Sequence, residues 1–501
     1  MAKEITIALG LPKLHSDESL WLYNALDCAV TLEVWKNLQA SRTPASDISY
    51  SFVSAMRGPA LAMMLRGIRI DMEARAQALD EYKGKISRIQ SIMDKFAFAV
   101  WDKPLNPRSP IQCKDFFYKA MNIPAIISYK KGERKESADR DTLEKLMAYL
   151  HPRPIIKCIL ALRDYSKKIE VLTKGLDEEA PGHFRMRSSF NVVGTETGRW
   201  SSSENAFGQG TNQQNITPEL RKIFIADPGR KLAYCDLEQA ESRAVAHLSA
   251  DTNYILACES GDLHTTVAKM VWKNLPWSGQ LAQDRALAEG KFYRDFSYRD
   301  MAKRLGHGSN YYGTPPTMAK HIKMPVDLVR DFQQAYFKAF PGIRQWHHEV
   351  AKQLQTKGFL TTALGRQRYF LGRRFDDTTL REAIAYEPQS IVAELLNLWL
   401  WRVFEHLPEV ELLAQIHDAI LIQYPKEIEN EILPKVLALA KIPVAFPHST
   451  LIIPASCEVG YNWGKSNKAN PSGLIKWTGH DGRSEPQRAR GILDRPISSI
   501  L

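Results

Sequence analysis

The chain has 501 residues, of which 44% are hydrophobic and 25% charged, a composition typical of a globular protein with several domains. It contains no run of 18 or more uncharged apolar residues, and its amino-terminal apolar stretch is too short for a signal peptide. The net charge of +11 (67 Lys and Arg against 56 Asp and Glu) favours a polyanionic partner, nucleic acid first, although a merely basic soluble protein explains the charge equally well.

The cysteines are scattered along the chain, and none of them belongs to a CxxC pair. They are Cys28, Cys113, Cys158, Cys235, Cys258 and Cys457. This spacing argues against a disulfide framework and against a cysteine-rich zinc site, and it fits the reducing cytoplasm.

The amino-terminal third of the chain is predicted to be mainly helical. Residues 1–50 are predicted to form a loop and then a helix over SLWLYNALDCAVTLEVWKNLQ. Residues 51–175 have helical patterns rich in Lys and Arg, with polar interruptions at 106–110 and 130–136. Residues 182–235 contain more Gly and Ser between short apolar runs, which predicts short strands.

The rest of the chain is predicted as long helices followed by strands. Helical periodicity dominates residues 236–400, and strand patterns return over 410–464. Residues 465–501 carry seven Lys and Arg against three Asp and Glu, with little periodicity. We therefore expect this tail to be a disordered basic extension.

Two aspartates are predicted to lie at strand ends. Asp236 ends a short strand of alternating character, and a helix is predicted from near Gln239. Asp418, preceded by His417, separates two apolar runs, which predicts a hairpin with Asp418 at its tip. Taken alone, a helix cap and a turn residue are the more ordinary explanations. Together, the two carboxylates supply the oxygen ligands that a divalent metal ion prefers.

A third segment, over residues 299–313, is predicted to be helical. Because four residues turn a helix through about 400°, Arg299, Lys303, His307 and Tyr311 form one slowly drifting stripe. Two cations at one end and two rings at the other suit a nucleoside triphosphate. The alternative is a solvated basic helix whose rings belong to the core.

Taken in chain order, the three segments resemble the polymerase motifs of family A DNA polymerases, the DNA polymerase I family. The patterns are Asp-x-x-Gln-x-Glu-x-Arg from Asp236 to Arg243, Arg-x3-Lys-x7-Tyr from Arg299 to Tyr311, and His417-Asp418. Further matching stretches are Thr197-Gly198-Arg199, Gln214-Asn215-Ile216, Asp262-Leu263-His264, Pro341-Gly342-Ile343, Gly365-Arg366, and Arg381 with Gln389. The resemblance covers roughly residues 20–464.

The resemblance implies a mixed α+β chain with the right-hand polymerase fold of palm, fingers and thumb. The expected regions are a remnant of a 3′–5′ exonuclease domain (1–50), the thumb (51–181), the first part of the palm (182–260), the fingers (261–379), the second part of the palm (380–464) and the basic tail (465–501).

The implied activity is template-directed addition of deoxynucleotides to a primer 3′ end, with release of pyrophosphate. By the same resemblance, two Mg²⁺ ions would be held by the catalytic Asp236 and Asp418 and by the Leu237 carbonyl. The implied nucleotide-binding residues are Gln239, Glu241, His264, Arg299, Lys303, His307 and Tyr311. The implied DNA-binding residues are Arg199, Gln214, Asn215, Arg381, Gln389 and His417. Glu241 would exclude a 2′-hydroxyl group.

Four positions depart from the family pattern. Ala419 replaces a third carboxylate after His417-Asp418, and His307 replaces a Phe or Tyr. Tyr312 follows Tyr311 in place of Gly, which leaves open which ring packs against the base pair. Ala385 replaces an Asn.

The amino terminus resembles only the last motif of the family's exonuclease domain, through Tyr23 and Asp27. One such carboxylate cannot hold two metal ions. We therefore expect a polymerase without its own proofreading activity. A separate exonuclease subunit is a candidate partner, and no association with a membrane is expected. A split arrangement of this kind is compatible with a bacteriophage origin and viral DNA replication.

Two rival functions come from other classes. A single-subunit RNA polymerase shares the palm, but Glu241 argues against it. A non-catalytic nucleic-acid-binding relative is disfavoured because both Asp236 and Asp418 are present.

Overall fold

The chain folds into helices and short strands, and the computed structural model describes residues 16–130 and 133–479. The helices, in chain order, are α1 (Ser16–Ala40), α2 (Pro44–Ala55), α3 (Arg57–Arg66), α4 (Met72–Trp101), α5 (Pro110–Lys114), α6 (Arg140–Leu146), α7 (Arg153–Thr173), α8 (Ala240–Leu248), α9 (Thr252–Glu259), α10 (Leu263–Val271), α11 (Leu281–Ala288), α12 (Tyr298–Asn310), α13 (Pro315–Ile322), α14 (Val326–Ala339), α15 (Pro341–Lys357), α16 (Asp377–His406) and α17 (Glu429–Leu439). A π-helical segment covers Asp115–Ala120, and 3-10 helices cover Gln213–Asn215, Pro218–Ile223 and Lys426–Ile428.

The strands are short and belong to several separate sheets. In chain order they are β1 (Ile68–Ile70), β2 (Ile127–Lys130), β3 (Glu133–Glu136), β4 (Asp177–Ala180), β5 (His183–Met186), β6 (Ser189–Asn191), β7 (Ser201–Ser203), β8 (Phe224–Ile225), β9 (Arg230–Leu237), β10 (Lys291–Tyr293), β11 (Phe296–Ser297), β12 (Phe359–Thr361), β13 (Gln367–Tyr369), β14 (Glu411–Ile416), β15 (Ala419–Pro425), β16 (Val444–Phe446), β17 (Ser449–Leu451), β18 (Ala455–Gly460) and β19 (Ile475–Lys476).

A five-stranded antiparallel sheet lies at the centre of the largest core, with the strand order β14-β15-β9-β18-β19. Strands β14 and β15 are almost entirely buried, which explains their nearly continuous apolar sequence. Helix α16 contributes to the same core, where Trp399 is completely buried. The sheet therefore joins chain segments that are up to about 245 residues apart.

A second core is formed by the helices between α8 and the first half of α16. Buried polar groups in this core form hydrogen bonds with Asn310. The Asn310 amide donates to the Tyr254 hydroxyl at 2.9 Å and accepts from the Tyr336 hydroxyl at 2.8 Å. The Nε2 atom of His347 lies 2.8 Å from the Asn310 carbonyl oxygen. These contacts fix the carboxyl end of α12.

A third, smaller core lies between the second half of α4, the π-helical segment and α7. It buries Met93, Phe116, Phe117 and Ile156. Asp71 begins α4 by accepting a hydrogen bond from the Ala74 amide at 2.9 Å, an N-cap that satisfies an otherwise unpaired donor. The four-stranded sheet β4-β5-β1-β8 connects this helical region to the central sheet.

The predicted distribution of helices and strands is largely confirmed. Helix α1 covers the predicted amino-terminal helix, while the loop predicted before it lies outside the described residues. The predicted polar interruption at 130–136 is part of the β2–β3 hairpin, and α17 is a helix inside the region predicted as strands. In the part of the chain that the structure describes, no helix has the length and apolarity needed to cross a membrane.

The prediction of a disordered tail from residue 465 is wrong for residues 465–479. Strand β19 pairs with β18, the Trp477 amide donates to the Cys457 carbonyl at 2.9 Å, and Leu474 is buried. The segment lacks a periodic pattern because turns and an edge strand attach it to the central sheet. Such contacts leave little trace in a local pattern. Residues 480–501 lie outside the described residues.

One disulfide bond joins Cys235 of β9 to Cys457 of β18, with the Cα atoms 4.2 Å apart. The two residues are separated by 222 positions, so their spacing in the sequence does not reveal the pair. A single bridge is not a disulfide framework, but this bridge was not predicted. The bridge links the two parts of the chain that form the centre of the sheet.

Glu387 of α16 is a buried carboxyl group whose described polar contact is the Trp346 Nε1 atom at 3.3 Å. Its burial raises its pKa to about 7. Between about pH 4.5 and pH 7 the unfolded chain releases this proton while the folded chain keeps it, so stability falls as pH rises through that window. Glu387→Gln removes this penalty. We expect its free energy of unfolding to exceed that of the wild type by about 3 kcal/mol above pH 7.

Denaturant unfolding of both proteins at about pH 5 and about pH 8 measures this difference. The gain from Glu387→Gln should be small at the lower pH and larger at the higher pH. Equal gains at both values would show that Glu387 is ionised in the folded protein.

Candidate active site

The two aspartates predicted to bind metal lie at neighbouring strand ends of the central sheet. Asp236 is the penultimate residue of β9, and Asp418 lies in the two-residue turn between β14 and β15. Ala419 is the register partner of Asp236, and the Leu237 amide donates to the Asp418 carbonyl at 3.1 Å. The predicted hairpin and the predicted pairing of the carboxylates are thus present in the fold.

Both carboxyl groups are partly buried, and both pKa values are raised. Burial and the neighbouring charge of Asp418 raise the pKa of Asp236 to about 7, and burial also raises the pKa of Asp418. Two desolvated carboxylates side by side are stabilised by a divalent cation, which accepts oxygen ligands. The donor set therefore fits Mg²⁺. Among the described residues, no cluster of three or more His, Cys, Asp or Glu side chains is arranged to hold a metal.

A cavity of about 740 Å³ opens between Asp418, α8, α10 and α12. Its lining includes six of the residues predicted for catalysis and nucleotide binding, namely Gln239, Glu241, His264, Lys303, His307 and Asp418. Gln239 has a left-handed φ of 53°, and its buried Oε1 atom has no hydrogen-bond partner among the described residues. A buried acceptor without a partner favours a ligand in this cavity.

Cations converge on the α12 side of this cavity. Arg299 forms two hydrogen bonds of 3.0 Å to the carboxylate of Asp262, which itself caps α10. Lys303 has no carboxylate within ion-pair distance in the described part of the chain. Burial and the charges of Arg299 and Lys303 lower the pKa of His264 to about 4, so its imidazole is neutral at pH 7. This wall is suited to binding phosphate groups.

The predicted stripe on α12 is confirmed for its first three residues, while Tyr311 lies at the helix end rather than inside the helix. Its hydroxyl donates to Glu241 Oε2 at 2.5 Å, and the other oxygen of Glu241 pairs with Arg199. The ring of His307 lies 4.8 Å from that of Tyr311. Tyr312 has a φ of 59° and contacts His347 instead. The structure therefore places Tyr311, not Tyr312, beside Glu241.

The residues predicted to bind DNA are spread over four segments around the carboxylates. Gln214 donates to the Trp200 carbonyl at 3.0 Å and to Gln415 Oε1 at 3.1 Å, so it braces β14. Asn215 and His417 are exposed, and His417 has a φ of 57°. The remaining three residues are partly exposed. They are Arg199, Arg381 and Gln389.

The sequence model of DNA polymerase family A matches residues 76–465. The chain belongs to DNA polymerase family A. It is 29% identical over 415 residues to the thermostable DNA polymerase I of Thermus aquaticus, covering 79% of this chain and 46% of the relative. The DNA polymerase I of Chloroflexus aurantiacus is 27% identical, covering 88% and 46%. The chain spans about half the length of these curated relatives.

A solved structure supports the polymerase fold of this family A chain. It is the POL domain of Pol1 from M. smegmatis, in complex with a DNA primer-template and dNTP, with a TM-score of 0.67 and 23% sequence identity. The match covers 82% of this chain and 69% of that one. The predicted mixed fold of palm, fingers and thumb is confirmed.

Several residues of this site were not predicted from the sequence. Asp262 was noted only as part of a matching stretch, and its role as the partner of Arg299 depends on packing between α10 and α12. Tyr254 and Tyr336 also line the cavity, but as apolar-periodic helix residues they are indistinguishable from ordinary core. The capping pattern of Asp262 before α10 was the one local signal available.

Proposed function

We propose that the chain is a DNA-directed DNA polymerase that adds deoxynucleotides to a primer 3′ end in the presence of two Mg²⁺ ions. The observation that carries this proposal is the pair Asp236 and Asp418, set at adjacent strand ends beside a cavity lined by Lys303, His264 and Glu241. Family membership supports the same activity.

Asp236 and Asp418 would hold the metal ions, with the Leu237 carbonyl as an additional ligand. Bound Mg²⁺ in such sites activates the primer hydroxyl and neutralises charge on the triphosphate. The two carboxylates would contribute by fixing the positions of the primer terminus and the triphosphate relative to each other. Burial is the main cause of their raised pKa values, and bound cations would favour the charged carboxylates.

The nucleotide would lie in the cavity between α8, α10 and α12. Arg299, Lys303 and neutral His264 would donate hydrogen bonds to phosphate oxygens, and His307 would lie beside the sugar. Gln239 offers an unpartnered acceptor to the same ligand. Tyr311 would pack near the templating base pair. Charge neutralisation and positioning are the main requirements of phosphoryl transfer.

The primer-template would lie across the central sheet. Its minor groove and backbone would be followed by Arg199, Gln214, Asn215, Arg381, Gln389 and His417. Contacts to phosphates and to the minor groove carry little sequence information, which a copying enzyme requires.

The three cores support the domain boundaries proposed from the sequence in part, since the largest core also includes Met56, Tyr82 and Leu172 of the proposed thumb. The thumb would be residues 51–181, the palm 182–260 with 380–464, and the fingers 261–379. The third core lies within the proposed thumb, and the central sheet within the proposed palm, with β19 added to it. Most of the second core lies within the proposed fingers.

Primer extension with Mg²⁺ tests the proposed function. The purified chain should extend a labelled primer on a DNA template with deoxynucleotides and much less with ribonucleotides. Preference for ribonucleotides would favour the alternative hypothesis that the chain is an RNA polymerase. Tight binding of primer-template without extension would favour a non-catalytic relative.

We also propose that this 501-residue polypeptide does not remove mismatched primer ends. Hydrolysis by the two-metal route needs several converging carboxylates. Helix α1 carries Asp27 beside Tyr23, whose pKa is raised by a hydrogen bond with that carboxylate. Asp17 lies on the same helix, roughly 15 Å away along its axis at 1.5 Å per residue.

Incubation of a 3′-labelled mismatched primer with Mg²⁺ and no nucleotides measures this activity. We expect no release of label by the wild type. Release that Asp27→Ala abolishes, and that Asp47→Ala on α2 leaves intact, would reveal a working exonuclease site.

Helix α1 is also the proposed contact for a separate 3′–5′ exonuclease. Its apolar residues are exposed on several sides, including Trp21 (68%), Val30 (58%) and Trp35 (51%). Apolar surface of this extent marks interaction sites. We place the polymerase in the cytoplasm of a bacterial or phage-infected cell, where it would serve viral DNA replication.

A further inference from the structure

A second cavity, of about 590 Å³, borders Asp236 on the side of β18. Asp236 pairs with Ser456 across β9 and β18, and Tyr234 pairs with Glu458 two residues further along, so these four side chains share one face of the sheet. All four line this cavity. The nucleotide cavity lies instead on the side of Asp418 and Glu241. The two cavities therefore meet the catalytic carboxylates from different directions.

The second cavity contains cations that the fold leaves available. Lys222 lines it and has no carboxylate within ion-pair distance among the described residues. Lys465 pairs with Glu458 at 3.2 Å, but its side chain is 77% exposed, and exposed ion pairs of this kind are weak. Arg221 also lines the cavity, where its guanidinium lies 4.6 Å from the centre of the Trp463 ring.

The carboxylates in this cavity, apart from Asp236, have partners of their own. Glu219 lies 3.5 Å from Lys168, and Glu458 is the partner of Lys465. Once Asp236 is assigned to the proposed metal site, the lining has three cations (Arg221, Lys222 and Lys465) against two carboxylates (Glu219 and Glu458), which leaves one net positive charge in the cavity. A phosphate group is the ligand that this arrangement fits.

Lys465 is held in place by a segment that continues beyond the family match, which ends at residue 465. Residues 466–479 fold back onto the sheet. The Ser466 amide donates to the Leu474 carbonyl at 3.0 Å, and the Leu474 amide donates to the Gly464 carbonyl at 2.7 Å. The side chain of Asn470 donates to the Lys465 carbonyl at 3.1 Å. This segment therefore fixes the backbone from which Lys465 enters the cavity.

We propose that this cavity binds a backbone phosphate of the primer strand near its 3′ end, through Lys222 and Lys465, with residues 466–479 holding Lys465 in position. The inference rests on the proposed polymerase function, in which two phosphate-bearing substrates meet at Asp236 and Asp418. In the proposed function the triphosphate would be bound by Lys303 and His264 in the first cavity and by Arg299 beside it. The primer strand is the substrate that remains for the second.

Equilibrium binding of a fluorescent primer-template, followed by anisotropy at several salt concentrations, tests this proposal without requiring catalysis. The double variant Lys222→Gln/Lys465→Gln should raise the Kd roughly tenfold. It should also reduce the slope of log Kd against log salt by about one, since the contact to one phosphate is lost. Its KM for deoxynucleotides should not change.

Lys468→Gln is the matched control, because Lys468 is an exposed lysine of the same segment that does not line the cavity. Glu458→Gln is a second control. It breaks the ion pair but keeps Lys465, and should leave Kd unchanged or lower it. A purely structural role of the ion pair would instead make Glu458→Gln as harmful as Lys465→Gln, and would overturn the proposal.

Two further results would overturn it. One is a double variant that binds primer-template no more weakly than Lys468→Gln. The other is an unchanged Kd with a raised KM for deoxynucleotides, which would assign the phosphate to the triphosphate. Failure of the wild type to extend primers would contradict the proposed function, while the binding comparison would still report on this cavity.

Discussion

Asp418→Ala is expected to lower primer extension by on the order of a thousandfold or more. In the proposed mechanism the site has two carboxylates to hold metal ions, and metal coordination supplies several kcal/mol of transition-state stabilisation. With Ala419 as the next residue, no carboxylate follows in the turn to replace Asp418. Single-turnover extension with Mg²⁺ measures the loss.

Binding of primer-template by Asp418→Ala should remain close to that of the wild type. Affinity for DNA rests mainly on contacts between Lys or Arg side chains and phosphates, and it should fall steeply with salt in both proteins. Asp331→Ala is a suitable control, since Asp331 is an exposed carboxylate on α14 outside both cavities. Near-normal extension by Asp418→Ala would refute the assignment of the two metal ligands.

Local sequence patterns predicted the positions of Asp236 and Asp418 in the fold because each of them lies in one short element. The alternation before Asp236 and the turn at Asp418 fix two strand ends, and sheet pairing then brings them together. The stripe on α12 follows from helix geometry in the same way. What remained open was whether Tyr311 or Tyr312 packs against the base pair. The structure shows that Tyr311 lies beside Glu241, through a hydrogen bond that spans 70 residues.

The features that were missed depend on contacts between distant segments. The Asp262–Arg299 pair spans 37 residues, and the Cys235–Cys457 bridge spans 222. Residues 465–479 were mistaken for a disordered tail, because an edge strand and turns that rest on an existing sheet need no periodic pattern of their own. The second cavity beside Asp236 depends on that segment, so it could not be predicted from local sequence.

Glu241→Ala is expected to weaken the discrimination between deoxynucleotides and ribonucleotides by roughly a hundredfold. The Glu241 carboxylate is held on both sides, by the Tyr311 hydroxyl and by Arg199, and it lines the nucleotide cavity. Burial and the charge of Glu241 raise the pKa of Tyr311, so the phenol stays protonated and keeps donating. A carboxylate fixed in this way would occupy the space of a 2′-hydroxyl and repel its lone pairs.

The ratio of kcat/KM for the two substrate classes measures this discrimination, and Tyr311→Phe serves as the matched variant. Tyr311→Phe removes one anchor but keeps the carboxylate and its ion pair with Arg199, so its ratio should lie between those of the wild type and Glu241→Ala. If Glu241 only orders the surrounding helices, Glu241→Ala would slow both substrates equally and leave the ratio unchanged. A selective gain in ribonucleotide incorporation by Glu241→Ala would indicate a steric and electrostatic barrier at the sugar. A general loss of structure would not distinguish substrates that differ by one hydroxyl group.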